Sequence, residues 1–460
     1  MKVTLVFDVE DPITPESDDV ALWLAEILRE EGMQATFFVT ADKARSLEER
    51  GRTDVIEALQ WHDIGYHSDT HSIHPTISEY LENAGWNEGV NEVQAREYPA
   101  IEYVSEVFDQ RPSAFGRTGG SYGPQISPAM AEVGLAYAYS PIAHPTTAIY
   151  RFAGVLTFGM HTRGFDDVLA DDAAFAARLE EFKRRLNGDF AADRAWLAVF
   201  GAHPTYVRAT AFWDVVNFER GKNPPREAWQ APPLRPVSDM QNAQANFRTL
   251  VRFLSDHPNI EPITVAEICG QYPGPPSSIS AAELVRIAAT VGDRDGIPVD
   301  QVVSPAESLV AFAHVIKYCE ITDVERTDVL GPMTDPPAAS PVHELDRDQL
   351  LSAADAVLAH VEQYGAVPAS IPSAGGPIGL ASLYGAFAEA VCDLAMDRPF
   401  EAVSLAARYP FPEVARDLDV SLPAMMHGWP IHDPALEPDT ITAHTKRQTW
   451  TLAPVHFAES

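Results

Sequence analysis

From residue 1 to about 272, short runs rich in β-branched and aromatic residues alternate with longer amphipathic stretches, and this constrains the fold more than any other feature. Parallel pairing needs a crossover of roughly a dozen or more residues between strands, usually a helix, so this alternation is the pattern expected of parallel βα units. Strands are expected near 3–8, 35–40, 62–67, 113–117, 135–140, 155–160, 196–202 and 260–265. Eight such units suggest a closed α/β barrel. Intervening stretches such as 18–31 and 243–256 place apolar residues three and four apart, the spacing of a helix that covers a sheet.

The alternation stops at "QYPGPPSS", 271–278, which reads as a linker between a domain at 1–272 and another at 277–460. Beyond it, 280–316 and 351–391 resemble each other, each a helix, a turn ending in Pro298 or Pro368, and a second Ala-rich helix. A mainly helical accessory domain with two degenerate repeats is expected. Residues 204–240 are aromatic and Pro-rich, and a long insertion of this kind in a compact domain is usually a lid or a binding loop.

With 46% hydrophobic and 22% charged residues the chain has the composition of a globular protein, and it has no apolar run near the ~20 residues that span a bilayer. Its formal charge of −33 argues against nucleic acid or an anionic membrane as partner. The start, "MKVTLVFDVE", enters a strand pattern directly, so a cytoplasmic location is the expectation. Cys269, Cys319 and Cys392 are odd in number and far apart, which suggests buried small hydrophobes, with neither a disulfide framework nor a Cys-rich metal site. The sequence does not speak to oligomeric state.

The first strand ends in three carboxylates, Asp8, Glu10 and Asp11, and the third leads into "HDIGYHSDTHSIHP", 62–75, with four histidines. His67 and His71 have the i, i+4 spacing that can put two imidazoles on one side of a metal. Arg117 ends the fourth strand and His203 follows the seventh. In a parallel barrel all these positions share the C-terminal rim, where barrel enzymes carry their chemistry. Two imidazoles and one carboxylate make a three-ligand site with open positions, the donor set of a catalytic divalent metal, most simply zinc. His74 reads as part of the turn before Pro75, and His144 and His161 as pocket or core residues near strand ends. Tyr122, Phe212, Trp213 and Trp229 are candidates for an aromatic wall against a sugar ring, with packing inside the insertion as the competing reading.

The segments "LVFDVEDP", "HDIGYHSDTH", "FGRTGG" and "VFGAHP" stand in the order and approximate spacing of the polysaccharide deacetylase family, the nodulation-type carbohydrate esterases, which residues 1 to about 270 resemble. The resemblance implies a (β/α)7–8 barrel that hydrolyses N-acetyl groups on sugars or polysaccharide with a divalent metal. Carried over residue by residue, it makes Asp8 the general base, His67 and His71 metal ligands, Arg117 the group orienting Asp8, and His203 the general acid. Asp8-Val9-Glu10-Asp11 departs from the family's Asp-Asp-Gly, so the third ligand is assigned to Glu10 with Asp11 competing. Backbone N–H groups in "TGGSYG", 118–123, are candidates for holding the oxyanion. Tyr122 and Trp213 are taken as substrate-binding, and a carbohydrate or small molecule as the partner. The family's Asp-Trp element has no counterpart between Arg117 and His203, which leaves the support of His203 open. Two other readings stand beside deacetylation: hydrolysis of a small non-peptide C–N bond, as in a cyclic ureide, and a non-catalytic carbohydrate-binding barrel.

Overall fold

The computed structural model describes residues 1–142, 149–159, 164–192, 194–291, 296–299, 301–337, 342–398 and 401–455. The expectations for His144 and His161 lie outside the described residues. The chain divides into two compact units that are not consecutive blocks of sequence. The first comprises Met1–Ile149, Leu156–Tyr272 and Ala424–Glu437; the second comprises Tyr150–Val155, Pro273–Pro423 and Pro438–Ser460.

The first unit is built on a parallel sheet of β1 (Lys2–Val9), β2 (Thr36–Val39), β3 (Asp63–Tyr66), β4 (Ala114–Gly116), β5 (Ala136–Ala138), β6 (Val155–Phe158) and β7 (Trp196–Ala202), in the order β7-β1-β2-β3-β4-β5-β6. The short β8 (Glu261–Pro262) pairs with the start of β1. All eight strands fall where the periodicity puts them. No ladder joins β6 to β7 among the described residues, so the arrangement is a half-barrel where a closed barrel was expected. Among the described residues, the Phe165 N–H donates to the Gly201 carbonyl at 3.0 Å.

Residues 3–9 of β1 are all buried, as befits a strand covered on both faces. One layer of cover is α1 (Glu16–Glu30), α2 (Ala41–Glu49), α3 (Trp86–Phe108), α4 (Asp172–Ala191) and α5 (Val237–Asp256). Phe7 stacks on Phe37 with ring centroids 4.7 Å apart, and Phe247 of α5 meets Phe7 edge-on at 5.8 Å. The turn after β1 is fixed by buried charge. Lys43 Nζ on α2 donates to the Asp11 carbonyl at 2.7 Å and pairs with Asp18 on α1 at 2.5 Å. Removing Asp18 would leave the buried Lys43 ammonium without its carboxylate, a loss of roughly 3–5 kcal/mol, whereas Asp18 without Lys43 keeps Arg50 at 2.9 Å.

The second unit contains α6 (Ala281–Val291), α7 (Pro305–Tyr318), α8 (Arg347–Tyr364) and α9 (Leu380–Ala395). Each of the two similar stretches does contain a helix, a turn and a helix. The first helix of one repeat packs on the second helix of the other, α6 on α9 and α8 on α7. Two short parallel bridges, Ile297 with Pro412 and Leu330 with Ala366, tie each inter-helix turn to the segment beyond the other repeat. Intertwining of this kind makes neither hairpin a folding unit alone. Among the described residues, Cys269, Cys319 and Cys392 are free and half-buried, less enclosed than expected. No described helix is long and apolar enough to cross a membrane.

Candidate metal-dependent active site

Every strand from β1 to β7 except β2 delivers a polar group to the C-terminal edge of the sheet. Asp8 and Glu10 leave β1, His67 leaves β3, Arg117 leaves β4, Tyr139 leaves β5, Asp166 follows β6, and His203 follows β7. Asp8, Glu10, His67 and His203, with His71 and Asp214, line a pocket of about 250 Å³ whose other walls are Gly119, Phe212, Val215, Trp429 and Pro430.

The two imidazoles are locked in one tautomer. His67 Nδ1 lies 3.0 Å from the Gly116 carbonyl, which can only accept, so Nδ1 carries the proton and Nε2 turns its lone pair inward. Gly116 is required for that approach, since a Cβ there would sit 3.1 Å from His67 Nδ1 and 2.7 Å from the Phe38 ring. His71 Nδ1 lies 2.6 Å from Ser72 Oγ, whose own hydrogen goes to Asp214 at 2.9 Å. Ser72 therefore accepts from His71, and His71 Nε2 is the free lone pair. His71 sits in the left-handed region at φ 54°, a conformation a side-chain-bearing residue holds only where its surroundings enforce it.

Both Nε2 atoms face the same oxygen of Glu10, Oε2, at 3.4 Å for His67 and 3.0 Å for His71. The other oxygen of Glu10 accepts from Trp213 Nε1 at 3.1 Å. His67 Nε2 is buried and has no hydrogen-bond partner among the described residues. One donor atom from each of Glu10, His67 and His71 lies within 4.8 Å of the other two. An orphaned imidazole nitrogen aimed at a second imidazole and a carboxylate is a donor set that fits a divalent cation. Burial alone would push Glu10 up, but the two imidazoles outweigh it and hold the carboxyl well below its usual range.

Asp8 stands beside this set. Burial pushes its carboxyl up, partly offset by His67 and His203, whose Nε2 atoms lie 3.8 and 3.6 Å from Oδ2. His203 Nδ1 lies 2.6 Å from Asp166 Oδ2, so the Nε2 edge of the ring faces Asp8 and the pocket. Burial would lower His203, but Asp166, Glu10 and Asp8 prevail and raise it to about 9.

Four expectations are corrected here. Asp11 is turned away from the cluster: Oδ1 accepts from Ile13 and Thr14 N–H at 2.8 and 3.0 Å, and Oδ2 from Thr205 Oγ1 at 2.7 Å. It stitches the turn after β1. Tyr122 is 0% exposed and stacks on Tyr137, so it belongs to the core. Trp213 is also 0% exposed and serves Glu10 from behind, with Phe218 and Ile431 packed against it. Arg117 makes no ion pair with Asp8: the ion-pair partners of Asp8 among the described residues are His67 and His203, and Arg117 Nε donates to the Tyr139 carbonyl at 2.8 Å. His74 pairs with Glu79 at 2.7 Å in the turn before Pro75. Phe212 and Gly119 line the pocket, and Trp229 packs behind Phe218.

Four residues were missed. Asp166, in "GFDD" eight residues after β6, supplies the support for His203 that the absent Asp-Trp element leaves open, and an acid following a strand run was the available signal. Asp214 lies inside the 204–240 insertion and Tyr139 inside the fifth expected strand. Trp429 gave no signal at all, because it lies far beyond the linker in sequence and returns to the first unit only in three dimensions.

Residues 2–138 match the sequence model of the polysaccharide deacetylase family. Among solved structures, the chain resembles a family 4 carbohydrate esterase from Streptomyces lividans in complex with acetate, at 15% identity and TM-score 0.28 over 54% of this chain and 87% of that one. It resembles Puue allantoinase at 13% identity and TM-score 0.37, over 58% and 89%. A 4-alpha-glucanotransferase from Thermococcus litoralis gives 10% identity and TM-score 0.39 over 59% of this chain and 40% of its own. No curated protein matches.

Proposed function

With residues 2–138 matching the polysaccharide deacetylase family, we propose that the chain is a metal-dependent amide hydrolase that removes N-acetyl groups from N-acetylated sugars. The observation that carries the reading is the convergence of His67 Nε2 and His71 Nε2 on one oxygen of Glu10, with His67 Nε2 otherwise unpartnered. Glu10, His67 and His71 would hold the cation, of which zinc is the simplest choice. When bound, such an ion polarises a carbonyl and makes water a better nucleophile near neutral pH.

The protein's own groups do the proton work. Asp8 Oδ2, beside the donor set, accepts the proton of the attacking water, as its buried and raised carboxyl suits. His203 Nε2, held by Asp166 in the orientation that faces the pocket, gives a proton to the departing amine. Phe212, Val215, Trp429 and Pro430 give the same space apolar walls, which lowers the local polarity around the charged groups.

The test combines metal analysis with product analysis. His67→Ala should lose the bound metal and acetate release together, and full acetate release from the metal-stripped protein would refute the mechanism. One observation favours a second reading, hydrolysis of a small cyclic ureide. The pocket, at about 250 Å³, lies below the ~300–1,000 Å³ typical of drug-sized ligand sites and is walled by aromatic and aliphatic residues. Release of ureide products in place of acetate would select it.

A further inference from the structure

The base of the proposed reaction is held by Tyr139, a residue in a backbone conformation that only Gly adopts freely. Tyr139 follows β5 at φ 63°, is buried, and donates its hydroxyl hydrogen to Asp8 Oδ1 at 3.0 Å. Its ring tilts against Phe38 with centroids 5.1 Å apart and meets the His67 ring edge-on at 6.5 Å, so the phenol has little room to swing. The left-handed turn is what aims the side chain back over the sheet edge toward β1.

Arg117 fixes that turn. Its Nε donates to the Tyr139 carbonyl at 2.8 Å, and its backbone N–H donates to the neighbouring Ala138 carbonyl at 3.2 Å. Nη1 of Arg117 is buried and has no hydrogen-bond partner among the described residues, and the guanidinium forms no ion pair with Asp8. A left-handed residue with a Cβ persists only where neighbouring groups over-determine it, and such residues gather at working sites. Here one side of the strained residue is bonded by a half-buried arginine and the other bonds the base.

We infer that Tyr139 is a positioning residue for Asp8 and that Arg117 acts on the base through Tyr139. The hydroxyl occupies Oδ1 and sets the carboxylate plane, which leaves Oδ2 aimed between His67 and His203, at 3.8 and 3.6 Å. A phenylalanine would fill the same volume and leave Oδ1 unheld. The inference rests on the hydrolase reading for its kinetic consequence, and on geometry alone for the placement of Asp8.

The experiment is a cycle of Tyr139→Phe, Arg117→Ala and the double variant in the metal-loaded full-length chain. Tyr139→Phe should lower kcat about 10–100-fold with KM changed by less than about threefold, while bound metal and melting temperature stay at wild-type values. Arg117→Ala should lower kcat similarly, and the double variant should fall no further than the worse single one, since both cut one chain of contacts. Wild-type kcat in Tyr139→Phe, or losses that multiply in the double variant, would overturn the inference. Should Arg117→Ala fail to fold, Arg117→Lys takes its place with the same expectation. If the wild-type protein turns over no acylated amine or ureide, the hydrolase reading fails by itself. A crystal structure of Tyr139→Phe then decides: a rotated Asp8 carboxylate upholds the positioning role, and an unmoved one removes it.

Discussion

At the scale of single residues, the site depends on which nitrogen of each histidine carries a proton. For His67 and His71 the choice is made by a carbonyl and by a serine whose hydrogen is already committed. For His203 it is made by Asp166, and Asp166→Asn separates orientation from charge. The amide keeps an oxygen that can accept from Nδ1–H, but it also offers an NH₂ that stabilises the wrong tautomer, and it no longer balances an imidazolium. With His203 as general acid, kcat should drop by about 10² or more with metal content unchanged, and steady-state kinetics beside metal analysis would show it. Equal losses of metal and activity would instead place His203 among the ligands. That alternative has a geometric basis, because Asp8, Glu10 and His203 also bring donor atoms within 4.8 Å of one another.

At the scale of elements, the loop carrying His67 and His71 is tethered from below by α3. Glu97, midway along that helix, accepts from Tyr66 Oη at 2.5 Å, from Asp69 N–H at 3.1 Å and from Tyr80 Oη at 3.3 Å. Burial raises its carboxyl to about 7, against the lowering effect of the Tyr66 hydroxyl. A raised folded pKa means that the folded state keeps a proton the unfolded state has lost. The contribution is complete below about 4.5, is lost as pH rises through about 7, and makes stability fall with pH in that window. Glu97→Gln mimics the protonated form, and its amide can accept from Tyr66 and Asp69 and donate to Tyr80. Melting temperatures followed across the window should therefore decline less steeply in Glu97→Gln than in the wild type; parallel declines would mean that the loss comes from other groups.

The elements also explain what could be read from sequence. Strands and the rim residues that follow them were legible because a parallel strand buried on both faces leaves a dense apolar run, and its end is marked by the first charge. Asp8 stands out by that rule, His67 by its i, i+4 spacing with His71, and Glu10 and His203 take their assignments from the family resemblance. Tyr122 and Trp213 were misread because an aromatic residue beside a site looks the same in sequence whether it faces the ligand or supports a ligand's neighbour. Asp11 was ambiguous because an acid after a strand suits an ion and a turn equally well. Trp429 reaches Gly120 so closely that a Cβ there would lie 2.5 Å from its own Cβ, a pairing across some 300 positions of sequence that no local pattern encodes.

At the scale of the whole molecule, 66 acidic against 33 basic residues leave a charge that opposes compaction. Ion pairs such as Arg248 with Glu30, or Arg52 with Asp19, lie partly in solvent and contribute roughly 0–1 kcal/mol each. Salt weakens those pairs and also screens the excess negative charge, so the two effects oppose each other. The excess should win, because every basic residue could be paired and as many acids would still remain. Between about 0.01 and 0.15 M NaCl the screening length falls from ~30 to ~8 Å, and most of the repulsion between separated surface charges disappears in that interval. The thermal midpoint should rise steeply there and then level off, by roughly 2–4 °C for each kcal/mol of repulsion removed. A midpoint that falls over the same interval would show that attraction within ion-pair networks outweighs the net charge. A rise that begins only at molar salt would point to exclusion of ions from apolar surface, a mechanism independent of charge.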